Sequence, residues 1–290
     1  MFLEDVDPII INHNPEDFPS KRASLTDYLD SLNMDCRTFD EALILSETAW
    51  NNITIQALNE EFAYFNEGIA SKFLGTIKKF FSKMIDWIRG RYKDLKNFSN
   101  KTLVKMKKVF GLISKFATEN EERILEGAKT KEAKANILDW YPSLIKLKDL
   151  ETSLEKLNFS DEFESIIEDT KKFVLEHFKS NEVIEVKITP ALAKVALENA
   201  KMCPDIEGSI KRLVLLAEEA LKETETAASE GNKTKDDENI IIKSKNMVEA
   251  GKKKILTASK KCSILINLAN KAIIDSHRIN VACASMYTGK

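Results

Sequence analysis

The sequence predicts an all-α protein, a multi-helical bundle with long antiparallel C-terminal helices and an irregular acidic N-terminal arm. Three observations carry this expectation. The 290 residues include only 9 Gly and 6 Pro, and helices need fewer such breakers than strand-and-turn folds. Apolar residues recur every three or four positions over most of the chain, the period of a helix with one buried face. Hydrophobic residues make up 43% and charged residues 31%, a balance typical of ordered chains that bury a core. The length suffices for one large or two ordinary domains.

Residues 1–24 read as irregular, broken by Pro8, Pro15 and Pro19, with Ile9-Ile10-Ile11 as a short strand or an anchor for the arm. Ser24 or Thr26 caps a short helix through Leu32. Thr38 opens a stronger one, in which Phe39, Ala42, Leu43, Leu45 and Ala49 share a face and Asp40 and Glu41 sit where a helix N-terminus favours negative charge. This pattern continues through Ile53, Ala57, Leu58, Phe62 and Phe65.

From Ile69 a cleaner stripe follows: Phe73, Ile77, Phe80/Phe81, Met84/Ile85, Ile88, Tyr92 and Leu95, with Lys72, Lys79, Lys83 and Lys93 on or near the other face. Ser99 or Asn100 caps a second basic helix burying Leu103, Met106, Phe110, Ile113 and Phe116. Further helices are expected over Lys131–Tyr141, Ser143–Leu157 after Pro142, and Ser160 to about His177. Val183–Ile188 is β-branched and extended in character, a lone strand or a linker. Thr189-Pro190 is a cap-plus-first-turn pair, starting a helix that runs to Met202 and is stopped by Pro204. Two long helices close the chain, Ile206–Ala228 and Ile240 to about Ala284, joined by the polar loop Ser229–Asn239. Small residues such as Ala217, Ala258, Cys262 and Ala269 let their backbones approach as an antiparallel hairpin, and Gly251 is the place for a bend.

Charge is sorted along this framework, with an edge at Glu67/Gly68. Residues 1–67 hold 14 acidic and 3 basic side chains, whereas residues 68–116 hold 13 basic side chains and only Asp86 and Asp94. The rest is nearly neutral, so the formal net charge of −2 hides two opposed blocks. The organisation read from this is an acidic arm and helix (1–67), basic amphipathic helices (68–118) and a neutral helical bundle (119–290).

No enzyme motif is present: the sequence lacks a P-loop, a Rossmann glycine pattern, HExxH and GxSxG. His13, His177 and His277 are isolated, and the two later ones read as surface or dipole-complementing residues near helix ends. Adjacent acids such as Glu60-Glu61 and Asp236-Asp237 diverge on a helix and read as solvated charge. Cys36, Cys203, Cys262 and Cys283 form no CxxC pair, which suits a reducing compartment. The expectation is therefore a non-enzyme with no metal, no cofactor and no small-molecule substrate. The start of the chain shows no signal-peptide pattern, and no run of about 20 apolar residues reads as a transmembrane span. An intracellular location is the expectation.

The basic amphipathic block is the candidate functional segment. Its expected partner-contact residues are Lys72, Phe73, Ile77, Phe80, Phe81, Ile85, Trp87 and Ile88. Besides an ordinary packed helix, three roles fit a Lys/Arg face opposite Phe, Trp and Ile. One is contact with other structural proteins, with a second copy, or with the chain's own acidic arm. Another is an anionic membrane surface, met through residues 68–95. The third is non-specific nucleic-acid contact through residues 68–116.

Glu60-Glu61-Phe62-Ala63-Tyr64-Phe65-Asn66-Glu67-Gly68-Ile69-Ala70-Ser71-Lys72-Phe73, with the Lys/Phe/Ile/Trp helix after it, resembles a passage in helical virion structural proteins of large tailed bacteriophages. The resemblance covers about 40 residues. It implies a capsid-associated or internal virion component. It also implies possible precursor trimming after an apolar-x-Glu triplet and before a small residue. Phe65-Asn66-Glu67 before Gly68 and Ile124-Leu125-Glu126 before Gly127 match that pattern.

Overall fold

The structure, a computed structural model, describes residues 25–65, 70–159, 163–234 and 238–289. Among them the chain is all-α apart from one small sheet. The elements are α1 (Leu25–Phe65), α2 (Ala70–Glu119), α3 (Glu121–Gly127), β1 (Lys134–Trp140), α4 (Leu147–Lys156), α5 (Phe163–Leu175), β2 (Phe178–Lys187), α6 (Pro190–Lys201), α7 (Cys203–Lys233) and α8 (Glu238–Ser285). The expected irregular arm, residues 1–24, lies outside the described residues.

Contacts divide the chain into two units. Of the described residues, those within 37–99 and 211–262 form a hairpin unit, and those within 25–36, 100–210 and 263–289 form a mixed unit. Helices α1, α2, α7 and α8 supply residues to both.

In the hairpin unit four helix segments pack in the cyclic order α1, α2, α7, α8, the arrangement of a four-helix bundle. Aromatic contacts join α1 to α2: Phe39 and Phe98 stack at 4.1 Å, and Trp50 meets Trp87 edge-on at 4.7 Å. Polar contacts join α2 to α7, where Arg89 pairs with Glu225 at 2.6 Å and the Tyr92 hydroxyl donates to Glu218 at 3.0 Å. Helices α7 and α8 run antiparallel and approach through small residues. A Cβ on Gly251 would lie 1.8 Å from the Thr224 hydroxyl oxygen, and one on Gly231 would lie 2.9 Å from the Ser244 Cβ. Gly251 is thus the place where α8 meets the Thr224 side chain most closely.

The mixed unit holds the sheet. Strands β1 and β2 are antiparallel, with Lys134 opposite Lys187, Ile137 opposite Ile184, and Trp140 opposite Phe178 after an irregularity beyond Leu138. Helix α8 fastens this hairpin through Asp275, whose Oδ2 accepts from the Leu138 amide at 2.9 Å and the Trp140 indole at 2.8 Å. Arg278 donates to Oδ1 at 2.9 Å. Burial raises the Asp275 carboxyl above the ordinary carboxylate range, against the lowering effect of these donors. Asn199 on α6 works as a second clasp. Its Oδ1 accepts from the Leu147 amide at the open N-terminus of α4, and its Nδ2 donates to the Ile145 carbonyl and the Ser276 hydroxyl. Thr189 caps α6 by accepting from the Leu192 amide at 3.2 Å, with Pro190 in the first turn, as the sequence predicts.

Several expected boundaries are corrected. No break separates Leu32 from Thr38, and none falls at Ser99/Asn100: α1 and α2 are continuous. Cap-type residues end a helix only where the backbone leaves it. Here Ser99 is buried with its hydroxyl 3.5 Å from the Cys262 sulfur, and no Gly or Pro lies between Gly90 and Gly111. Lys131–Tyr141 is not a helix. Ala133, Ala135 and Ile137 are buried while Lys134 and Asn136 are exposed, which is strand alternation. Pairing with β2 holds Lys134–Trp140 extended, and Lys131 and Glu132 form the turn before it. Val183–Ile188 proves to be largely the second half of β2, Pro204 sits in the first turn of α7, and α7 continues past Ala228 to Lys233.

Candidate functional site on the basic aromatic helix

Helix α2 carries the expected contact residues. Lys72, Phe73 and Ile77 fall on its first turns, and their side chains lie outside the described ones. Phe80 is half-buried and meets Phe81 edge-on at 5.8 Å. Phe81, Ile85 and Ile88 are buried in the hairpin unit together with Met84, Leu95 and Phe98. Trp87 is partly buried and donates its indole N–H to the Ser46 carbonyl at 3.0 Å. From Phe81 to Phe98 the apolar stripe is therefore packed inside its own unit, where α1, α7 and α8 are its neighbours.

The cations of α2 divide by position. Toward α1, Lys83 donates to Gln56 at 3.3 Å in the hairpin unit; in the mixed unit Lys101 and Lys105 pair with Asp35 at 2.8 and 2.7 Å. Lys105 also contacts the Ser31 hydroxyl. Burial alone would raise the Asp35 carboxyl, but hydrogen bonds and charge from these two lysines outweigh it and hold it below the ordinary value. Arg91 pairs with Asp94 at 2.7 Å within its own helix. Lys79, Lys93, Lys107, Lys108 and Lys115 are exposed and have no acidic partner among the described residues. Opposed charge thus joins the two blocks at Asp35, while other acids of α1 turn to α8: Glu47 meets Lys252 at 2.9 Å and Asp40 meets Lys260 at 3.0 Å.

Two buried groups escaped the sequence reading. The first is the Glu47–Lys252 pair. Glu47 is 4% exposed, Lys252 also lies over the Trp50 ring at 4.4 Å, and the second Glu47 oxygen has no partner. Nearby Glu249 has its carboxyl raised by burial, opposed by Lys252 and Lys245 and reinforced by Glu47. The second is His277, which corrects the surface reading. It is buried edge-on against Phe116 at 5.3 Å, and neither ring nitrogen has a partner. Burial, with a smaller push from Arg278, lowers its imidazole from 6.5 to about 4.

This histidine gives a pH signature. The unfolded chain takes up a proton near 6.5, and the folded chain does so only near 4. Stability from His277 is therefore complete above about pH 6.5 and is lost as pH falls toward 4. The loss expected from that interval is on the order of 3 kcal/mol. Urea melts of the wild type and of His277→Leu check it: the variant should gain on the wild type by about that amount between pH 7 and pH 4, and a constant difference would refute it.

Ile124-Leu125-Glu126-Gly127 lies in α3, with Ile124 and Gly127 buried, so trimming there requires α3 to leave the unit. Residues 66–69 of the other triplet site lie outside the described residues. Burial raises the Cys262 thiol to about 12 and the Cys283 thiol to about 11, which makes both poor nucleophiles. Among the described residues, no three His, Cys, Asp or Glu side chains gather as metal ligands, and no helix is long and apolar enough to cross a membrane. No protein-family model matches the chain, and neither does any curated protein or solved structure.

Proposed function

We propose that the chain is a non-enzymatic structural or assembly protein, a helical virion component of a large tailed bacteriophage. The observation that carries the assembly reading is the use made of its perturbed titratable groups. Asp35 is held between two lysines, Asp275 clasps a strand and an indole, and His277 fills a core position. Each joins one segment to another, which is mechanical work rather than chemistry on a substrate. The virion assignment rests on the resemblance of residues 60–73 and the helix that follows them. The alternative, a peripheral membrane protein acting through residues 68–95, requires Phe81, Ile85 and Ile88 to leave the interior, so packing favours assembly.

Quantitative mass spectrometry of particles of the encoding phage, purified on a density gradient, tests the reading. The expected outcome is recovery of the chain with the particles at a fixed ratio to the major capsid protein. A chain left wholly in the soluble lysate refutes the virion role.

A further inference from the structure

Burial of the aromatic stripe changes what the outer face of α2 can bind. In the mixed unit, residues 100–118 contain Lys101, Lys105, Lys107, Lys108 and Lys115 and no acidic residue. Met106, Val109, Phe110, Ile113 and Phe116 of the same stretch are at most 7% exposed. Asp35 engages Lys101 and Lys105, leaving Lys107, Lys108 and Lys115 exposed without an acidic partner among the described residues.

Three partner classes make different demands on such a face. A bilayer needs apolar side chains beside the cations, and Met106, Val109, Phe110, Ile113 and Phe116 are buried, which leaves Val104 as the one large apolar side chain of this stretch that is exposed. A protein interface needs aromatic or aliphatic anchors and is typically poor in lysine; the outer row offers Val104 and the bare Gly111. A polyanion needs spaced cations free of competing carboxylates. Lys107, Lys108 and Lys115 meet that demand, and Lys108 and Lys115, seven residues apart, share one face about 10.5 Å apart along the axis. Exposed positive charge with no competing carboxylate among the described residues fits a phosphate backbone.

We propose that this face of α2, centred on Lys107, Lys108 and Lys115, binds nucleic-acid phosphates without sequence preference. The inference rests on the assembly reading and names its partner. Such contact releases counterions, so affinity falls as salt rises, by about −0.9 in log–log slope for each duplex phosphate neutralised.

The test is a fluorescence titration of the full chain with a labelled mixed-sequence DNA duplex over a salt series, beside sedimentation with phosphatidylserine-containing vesicles. The expected wild-type slope is about −3 or steeper, with the chain remaining in the vesicle supernatant. Lys107→Gln/Lys108→Gln/Lys115→Gln should flatten the slope by about 2.7, whereas Lys129→Gln/Lys171→Gln should leave it unchanged. Lys108→Gln alone carries the same test at about one third of the change, should the triple variant lose helix by circular dichroism. An unchanged slope in the folded variant, no duplex binding at low salt, or binding to vesicles in place of duplex each overturns the proposal. Particle recovery without duplex binding refutes this surface and leaves the assembly reading standing. Duplex binding by a chain absent from particles does the reverse.

Discussion

Gly127→Ala is expected to destabilise the mixed unit by about 3 kcal/mol or more, at the upper end of overpacking changes. The added Cβ would lie 1.8 Å from the Cys283 carbonyl oxygen and 2.7 Å from its carbon. These are backbone atoms of α8, so no rotamer change relieves the clash, and α3 must lift off its neighbour. Gly111 is the control, because a Cβ there meets nothing within 4 Å. Gly111→Ala should gain up to about 1 kcal/mol from helix propensity. Chemical denaturation followed by circular dichroism reads both, and a Gly127→Ala midpoint equal to wild type would disprove the close approach.

The second large effect is expected at Glu47. Glu47→Ala leaves the Lys252 ammonium, 15% exposed, with the Trp50 ring, the neighbouring Glu249 and limited solvent to compensate. Breaking one side of a buried pair costs about 3–5 kcal/mol, and the partial exposure of Lys252 puts this loss at the lower end, about 3 kcal/mol. Removing both charges with residues of similar volume, Glu47→Leu with Lys252→Met, should recover most of that loss. The signature is strong non-additivity in a double-mutant cycle. Additive losses would show that the pair is not coupled.

How much of this was legible depends on how far each signal had to travel. Thr189-Pro190 is a local signal, and it starts α6 as read. The period of Phe81, Ile85 and Ile88 showed that α2 has one apolar face, but period cannot say what that face meets. Small residues suggested an antiparallel α7–α8 pair, and Gly251 against Thr224 supplies it. Strand β1 was missed because Lys131-Glu132-Ala133-Lys134 favours a helix and the strand that holds Lys134–Trp140 extended comes only after α5. The Glu47–Lys252 pair joins residues 205 apart, a distance over which one sequence carries no pairing information. His277 looked peripheral by its closeness to the C-terminus, yet the last turns of α8 are interior. Ser99 shows the same limit: its chemistry suits a cap, and burial beside Cys262 gave it another role.

The interleaving of the two units has a consequence for synthesis on the ribosome. Neither unit is built from one continuous run of chain, so neither is complete until α8 has emerged. Cys262 follows its partner Ser99 by 163 residues, an interval on the order of ten to thirty seconds at typical elongation rates. Throughout that wait the first two long helices have only each other for cover, and the flank of α2 destined for α7 and α8 stays wet. That flank is the apolar surface the nascent chain exposes longest, and the final helix is the element that covers it.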